Sequence, residues 1–181
     1  MNTRVLTFIA YQALWFAVVV AAGHDHGWLA CAACLAFVLW QSIASAERAV
    51  VWRLAVLAVL LGMLVDGGAT VAGVVRYAAK DPMPFPGGPP CWILGLWASF
   101  AVTLPGPMRW LSGRPVAAAL LGAIGGPLSY AGAQRGWSAV TFPAPVWQGY
   151  AWLAVSWAVA MAVLAVALAH LTSGRAATVK R

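Results

Sequence analysis

Long apolar runs separated by short polar or proline-rich segments make up almost the whole sequence. Most of these runs approach the roughly 20 residues that an α-helix needs to cross a bilayer. The pattern therefore predicts an all-α membrane protein, a single bundle of six transmembrane helices that occupies residues 1–181. The predicted spans are 5–23, 27–45, 50–75, 91–104, 116–135 and 148–171.

The fifth span differs from the others because small residues and a proline interrupt its middle. Gly125, Gly126 and Pro127 stand together there. Proline has no amide donor, so the pattern predicts a helix broken at Gly125-Gly126-Pro127. Backbone groups that lose their helical partners in hydrocarbon must find others inside the protein, which predicts a position in the interior of the bundle.

The composition excludes a soluble fold. The chain is 63% hydrophobic and 8% charged, with a net charge of +7 and a mean hydropathy of +0.84. The basic residues stand singly at the ends of apolar runs, where they set orientation, and so we expect no nucleic-acid partner.

The distribution of basic residues predicts the orientation. Lys and Arg concentrate on the cytoplasmic side of membrane proteins, so both termini are expected in the cytoplasm of a bacterial inner membrane. The first span alternatively resembles a secretory signal, but its length and Gln12 favour a retained helix. The residues on the side of the termini are Arg4, Arg48, Arg53, Arg109, Arg114, Arg175, Lys180 and Arg181, and those on the other side are Arg76, Lys80 and Arg135.

Asp66 is the only acidic residue within a predicted span. A carboxylate at the centre of a span costs about 3 kcal/mol, so it normally faces the interior and has a partner. A rise of about 1.5 Å per residue places Ser129 and Tyr130 near its depth, with Arg135 about one turn beyond. These residues are candidates for a ligand-binding site or a proton relay, or else for a purely structural contact between two helices. Helical spacing puts Thr70, Gly73 and Tyr77 on the face of Asp66.

Three tryptophans, Trp97, Trp152 and Trp157, lie deeper than interfacial tryptophans do. They can line an apolar slot with the residues near Asp66 at its polar end, which predicts binding of a membrane lipid or another hydrophobic small molecule. The interrupted fifth span instead favours a small transporter with a midplane site. A membrane subunit that anchors a partner membrane or peripheral enzyme is a further alternative. Whether the protein is an enzyme stays open, and no cofactor is expected because no catalytic or nucleotide-binding motif is present.

The cysteines suggest a redox alternative. Cys31-Ala-Ala-Cys34 has C-x-x-C spacing, and Cys91 begins the fourth span on the same side, as expected for a quinone-linked thiol oxidoreductase. The same spacing also fits two small packing residues on one helix. His24 and His26 are candidate metal ligands in the first turn, or else simply solvated.

Several motifs occur together. They are PCWILGLWASFAVTL at 90–104, MRWL at 108–111, LGAIGGPLSYAGA at 121–133, Asp66, YQ at 11–12 and WF at 15–16. Together they resemble a family of small bacterial inner-membrane proteins of unknown function. In that family Asn and His commonly follow the fourth-span Thr-Leu, where this chain has Pro105 and Gly106. Its members are often encoded beside cyclopropane-fatty-acid-synthase-like genes, so the resemblance implies a role in membrane-lipid metabolism.

Overall fold

The computed structural model describes the backbone of residues 3–178 and the side chains of residues 3–173. Most of the described chain is helical, which confirms the all-α prediction. Its helices are α1 (Thr3–Gly23), α2 (Gly27–Ala44), α3 (Arg48–Val71), α4 (Cys91–Ala101), α5 (Pro115–Trp137) and α6 (Val146–Thr178). Two short strands, β1 (Arg76–Tyr77) and β2 (Val140–Thr141), and a 3₁₀ turn at Arg109–Leu111 complete it.

The outer surface of the bundle is apolar. Large aliphatic side chains such as Leu64 (71% exposed), Val116 (73%) and Leu128 (66%) point away from the core. Contiguous exposed apolar surface of this kind is rare on soluble proteins. Five of the helices are long and apolar enough to cross a membrane. The chain is therefore a membrane protein by its helix lengths and its surface.

Three connecting segments meet at one end of the bundle, which we call the loop end. They are residues 24–26, 72–90 and 138–145, and β1 pairs antiparallel with β2 among them. α1 and α5 converge at the same end. There Gly23 packs so tightly that an added Cβ would lie 2.3 Å from the carbonyl oxygen of Trp137.

α4 is shorter than the predicted fourth span. It has 11 residues, and such a helix rises about 16 Å against roughly 30 Å of hydrocarbon. The segment nevertheless runs from one end of the bundle to the other. The amide of Cys91 donates to the carbonyl of Pro82 at the loop end (2.7 Å), while Arg109 pairs with Glu47 at the opposite end (3.2 Å). Non-helical turns after Ala101 complete the passage, and we call the opposite end the ion-pair end.

α5 is one continuous helix with Pro127 inside it, so the predicted break is not confirmed. Two contacts lie beside the proline. The hydroxyl of Ser129 donates to the carbonyl of Gly125 at 3.0 Å. α6 packs directly on this stretch, since a Cβ added to Gly126 would lie 2.5 Å from Cγ of Trp157. Prolines within membrane helices are commonly tolerated where a neighbouring helix packs on them.

The cytoplasmic position of both termini stays a prediction. Of the basic residues that support it, Lys180, Arg181 and the side chain of Arg175 lie outside the described residues.

Candidate functional site

The carboxylate of Asp66 is the centre of the polar interior, and Asp66 is fully buried. Its Oδ1 accepts hydrogen bonds from Oη of Tyr77, at 2.5 Å, and from Oη of Tyr130. Its Oδ2 accepts a hydrogen bond from Nε1 of Trp97 at 2.6 Å. Three donors on two oxygens suit an ionised carboxylate, because that group only accepts hydrogen bonds. No ion pair joins Asp66 to a described basic side chain.

Tyr77 reaches Asp66 from outside the helix. α3 ends at Val71, Gly73 adopts a left-handed conformation with φ of 69°, and the chain turns back into β1. The ring of Trp92 packs edge-on against Tyr77, with centroids 5.9 Å apart. Burial, with Asp66 adding to it, raises the pKa of Tyr77 well above its usual range. Tyr77 therefore keeps its proton at physiological pH and acts as a donor.

Two stacked tryptophans form the wall beside the carboxylate. The rings of Trp97 and Trp157 lie 4.0 Å apart at an angle of 18°. Each ring lies against a glycine, because a Cβ at Gly62 would meet Trp97 at 2.5 Å and a Cβ at Gly126 would meet Trp157 at 2.5 Å. The two glycines thus fix the rings, and Trp97 is fixed with its indole N–H directed at Asp66.

A small cavity of about 50 Å³ adjoins this wall. Tyr130, Trp97, Tyr11, Trp15 and Ser129 are among the residues that line it, and none of its described lining residues belongs to α3. The partners of Asp66 therefore form part of a cavity surface, although the carboxylate itself does not line it.

A larger cleft of about 490 Å³ lies between α1 and α5 and extends toward the ion-pair end. It shares Tyr11, Trp15, Ser129 and Trp157 with the small cavity. Its lining is mostly aromatic and aliphatic, with the polar side chains of Gln12, Thr103 and Ser129 at intervals. The full lining is Phe8, Tyr11, Gln12, Trp15, Phe16, Phe100, Thr103, Met108, Leu121, Gly122, Gly125, Gly126, Leu128, Ser129, Trp157 and Met161.

The other predicted site residues occupy different positions. Thr70 donates to the backbone carbonyl of Asp66 at 2.8 Å, within α3. Trp152 donates to the carbonyl of Val65 at 2.9 Å. Arg135 is exposed near the end of α5, and its side chain makes no hydrogen bond or ion pair with a described residue. It therefore lies outside the group formed by Asp66, Tyr77, Trp97 and Tyr130, which we call the Asp66 cluster.

The cysteines are all free. The thiol of Cys31 interacts with that of Cys91 across the α2–α4 contact. Cys34 packs on Gly95, and a Cβ added to Gly95 would lie 2.7 Å from the Cβ of Cys34. Cys31 interacts with both other thiols, with Cys91 across the two helices and with Cys34 within the C-x-x-C segment. Cys31 and Cys34 also line an apolar groove of about 340 Å³ between α2, α3 and α4.

The histidines lie apart from this region. His24 and His26 are exposed in the turn between α1 and α2. Across residues 3–173, no three His, Cys, Asp or Glu side chains gather in a way that could hold a metal ion.

Two parts of the site were missing from the sequence-based prediction. Tyr11 and Gln12 on α1 line the cleft, and Trp97 is a hydrogen-bond donor as well as an apolar surface. The sequence does contain a signal for Tyr11 and Gln12. Polar groups within a membrane-spanning helix must be satisfied inside the protein or line a cavity.

Comparison with known proteins gives one result. No curated protein and no solved structure matches the chain. A family model described as a protein of unknown function, DUF2878, matches residues 4–163. The match covers most of the chain, in accord with the resemblance in its motifs, and the protein belongs to the DUF2878 family.

Proposed function

We propose that the protein binds a membrane lipid or another hydrophobic small molecule in the cleft between α1 and α5. The cleft itself carries the proposal. At about 490 Å³ it lies within the range of ligand sites, and its lining is apolar with a few polar groups, as in most such sites. Phe8, Phe16 and Leu128 at its edge are 49–66% exposed. The cleft therefore opens on the surface that contacts acyl chains.

The Asp66 cluster has a positioning role in this proposal. The carboxylate of Asp66 is occupied by hydrogen bonds from protein side chains and lines neither cavity. Asp66 therefore acts on a ligand indirectly, through Tyr130 and Trp97. The hydrogen bonds hold both rings in fixed orientations, and both rings line the small cavity next to the cleft. A rigid wall lowers the entropic cost of binding.

The proposal includes the setting of the protein. We place it in a bacterial inner membrane with both termini in the cytoplasm, handling a component of membrane-lipid metabolism. The transporter hypothesis relied on a broken fifth helix, and the continuous α5 removes that support.

A cleft-filling variant tests the proposal. Gly125 and Gly136 both lie on α5, and an added Cβ at either meets nothing within 4 Å, but only Gly125 lines the cleft. Gly125→Leu therefore places a side chain in the cleft from a position where the Cβ itself meets no neighbour, and Gly136→Leu is the matched control.

The measurement is native mass spectrometry of each protein purified from membranes in mild detergent. We expect a lipid-like adduct on the wild type and on Gly136→Leu and its loss from Gly125→Leu. Equal adducts on all three proteins, or no adduct on the wild type, would overturn the proposal and favour a subunit that only anchors a partner.

A further inference from the structure

The lining of the cleft and of the small cavity has no formal charge. Among the described residues that line them, none is Lys, Arg, Asp or Glu. Arg109, which follows the cleft residue Met108, pairs with Glu47 at the ion-pair end. An unpaired phosphate or carboxylate inside this low-dielectric space would lose its hydration without gaining a counter-charge, which costs several kcal/mol. The lining therefore disfavours an ionised head group.

The lining is not purely apolar, however. Gln12 lies near the middle of α1 and is exposed on its surface, and its side chain makes no hydrogen bond with any described residue. Ser129 donates its proton to the carbonyl of Gly125, so the lone pairs of its Oγ stay available as acceptors. A carboxamide in hydrocarbon is costly unless it is hydrogen-bonded. These groups favour an occupant that brings its own polar atom to this depth.

Trp157 supplies a donor at the same place. Its side chain lines both cavities, and its buried Nε1 lies near the hydroxyl of Tyr130 but makes no hydrogen bond of normal geometry with a described residue. An indole N–H can only donate, so its partner must be an acceptor such as a hydroxyl, carbonyl or ether oxygen. Leaving a buried donor unpaired costs about 1–3 kcal/mol.

We infer that the cleft takes a neutral lipid whose head carries a hydroxyl or carbonyl oxygen, in preference to a phospholipid or a fatty acid. The uncharged lining, the free amide of Gln12 and the unpaired N–H of Trp157 carry this inference together. It rests on the proposed function, because it specifies the chemical class of the ligand in the same cleft.

Two matched photoaffinity probes separate the possibilities. One is a long-chain fatty alcohol with a diazirine and an alkyne in its chain, and the other is the phosphate monoester of the same alcohol. The protein is reconstituted in phosphatidylcholine vesicles, labelled with each probe, and mapped by peptide mass spectrometry. We expect the alcohol to label α1 and α5 more strongly than its phosphate does.

Variants assign the labelling to the cleft and to the indole N–H. Gly125→Leu should abolish labelling by the alcohol. Trp157→Phe keeps an aromatic ring against Gly126 but removes the donor, and the loss of one hydrogen bond should lower labelling about fivefold. Trp110→Phe is its control, since Trp110 is 53% exposed and lines neither cavity.

The outcomes distinguish the two proposals. Equal or stronger labelling of the cleft by the phosphate, abolished by Gly125→Leu, would overturn the neutral-lipid inference and leave lipid binding in place. Labelling by the alcohol that Trp157→Phe leaves unchanged would also overturn the inference, because the indole N–H would have no part in recognition. Labelling by neither probe, or labelling that Gly125→Leu leaves unchanged, would overturn both.

Discussion

Tyr130 on α5 donates a hydrogen bond to Asp66 on α3, although 64 residues separate the two in the chain. Trp97 on α4 and Tyr77 on β1 donate to the same carboxylate. One side chain thus joins three helices and a strand in the interior of the bundle. Because the partners are neutral aromatic donors, they satisfy the carboxylate through hydrogen bonds rather than through an ion pair.

Asp66→Asn should destabilise the protein by about 3 kcal/mol. Asparagine presents one acceptor oxygen and one NH₂ group, so the NH₂ group would face either the indole N–H of Trp97 or the tyrosine hydroxyls. The clash of donors, rather than a loss of volume, causes the effect. Thermal unfolding of the purified protein in detergent measures it.

Asp25→Asn is the control for this variant. Asp25 is exposed and has a φ of 62°, a conformation that asparagine adopts readily. Its unfolding temperature should match that of the wild type. An Asp66→Asn protein as stable as this control would show that the carboxylate is dispensable for the fold.

Gly126→Ala should destabilise the protein by about 1–3 kcal/mol, because overpacking a close contact forces a backbone shift. The added methyl group would lie 2.5 Å from Cγ of Trp157 and 2.8 Å from its Cβ. The backbone fixes this Cβ, and stacking on Trp97 holds the ring. Gly125→Ala is the adjacent control, since its methyl group meets nothing within 4 Å. That variant should gain up to about 1 kcal/mol from helix propensity. The same unfolding assay compares the two, and equal stabilities would contradict the close packing of α5 on α6.

Mild oxidation should link Cys31 to Cys91 in preference to Cys34. Cys31 and Cys91 are partly exposed and their thiols interact across two helices, whereas Cys34 is buried against Gly95. Oxidation by oxygen with a copper–phenanthroline catalyst, followed by non-reducing peptide mapping, identifies the pair. The disulfide should form in the wild type and in Cys34→Ser but not in Cys91→Ser. A predominant Cys31–Cys34 disulfide would refute this arrangement.

The apolar runs predict the helices well because a helix in hydrocarbon needs only length and hydropathy. They fail at α4, where the apolar run extends to Leu104 but the helix ends at Ala101. Hydropathy reports that a segment is buried or faces lipid, and it does not report whether the backbone is helical. Likewise, the segment Gly125-Gly126-Pro127 taken alone predicts a break in the helix. In the structure α5 is continuous through this segment and packs against Trp157.

The Asp66 cluster was predictable only in part. Depth along the spans places Tyr130 near Asp66, since both lie on helices whose direction follows from the topology. Helical spacing also puts Tyr77 on the face of Asp66, but the chain leaves the helix after Val71 and Tyr77 arrives by way of β1. The donor role of Trp97 depends on a tertiary contact between α3 and α4, which no local pattern in the sequence records.

The convergence of α1 and α5 at Gly23 and Trp137 gives the cleft a direction. The two helices meet at the loop end, and the cleft extends from Trp15 toward Phe8 and Met108, in the direction of the ion-pair end. A wedge that is closed at one end exchanges molecules with a single leaflet. Under the proposed lipid binding, the leaflet on the ion-pair side would therefore supply the occupant, and the protein would respond to the composition of that leaflet.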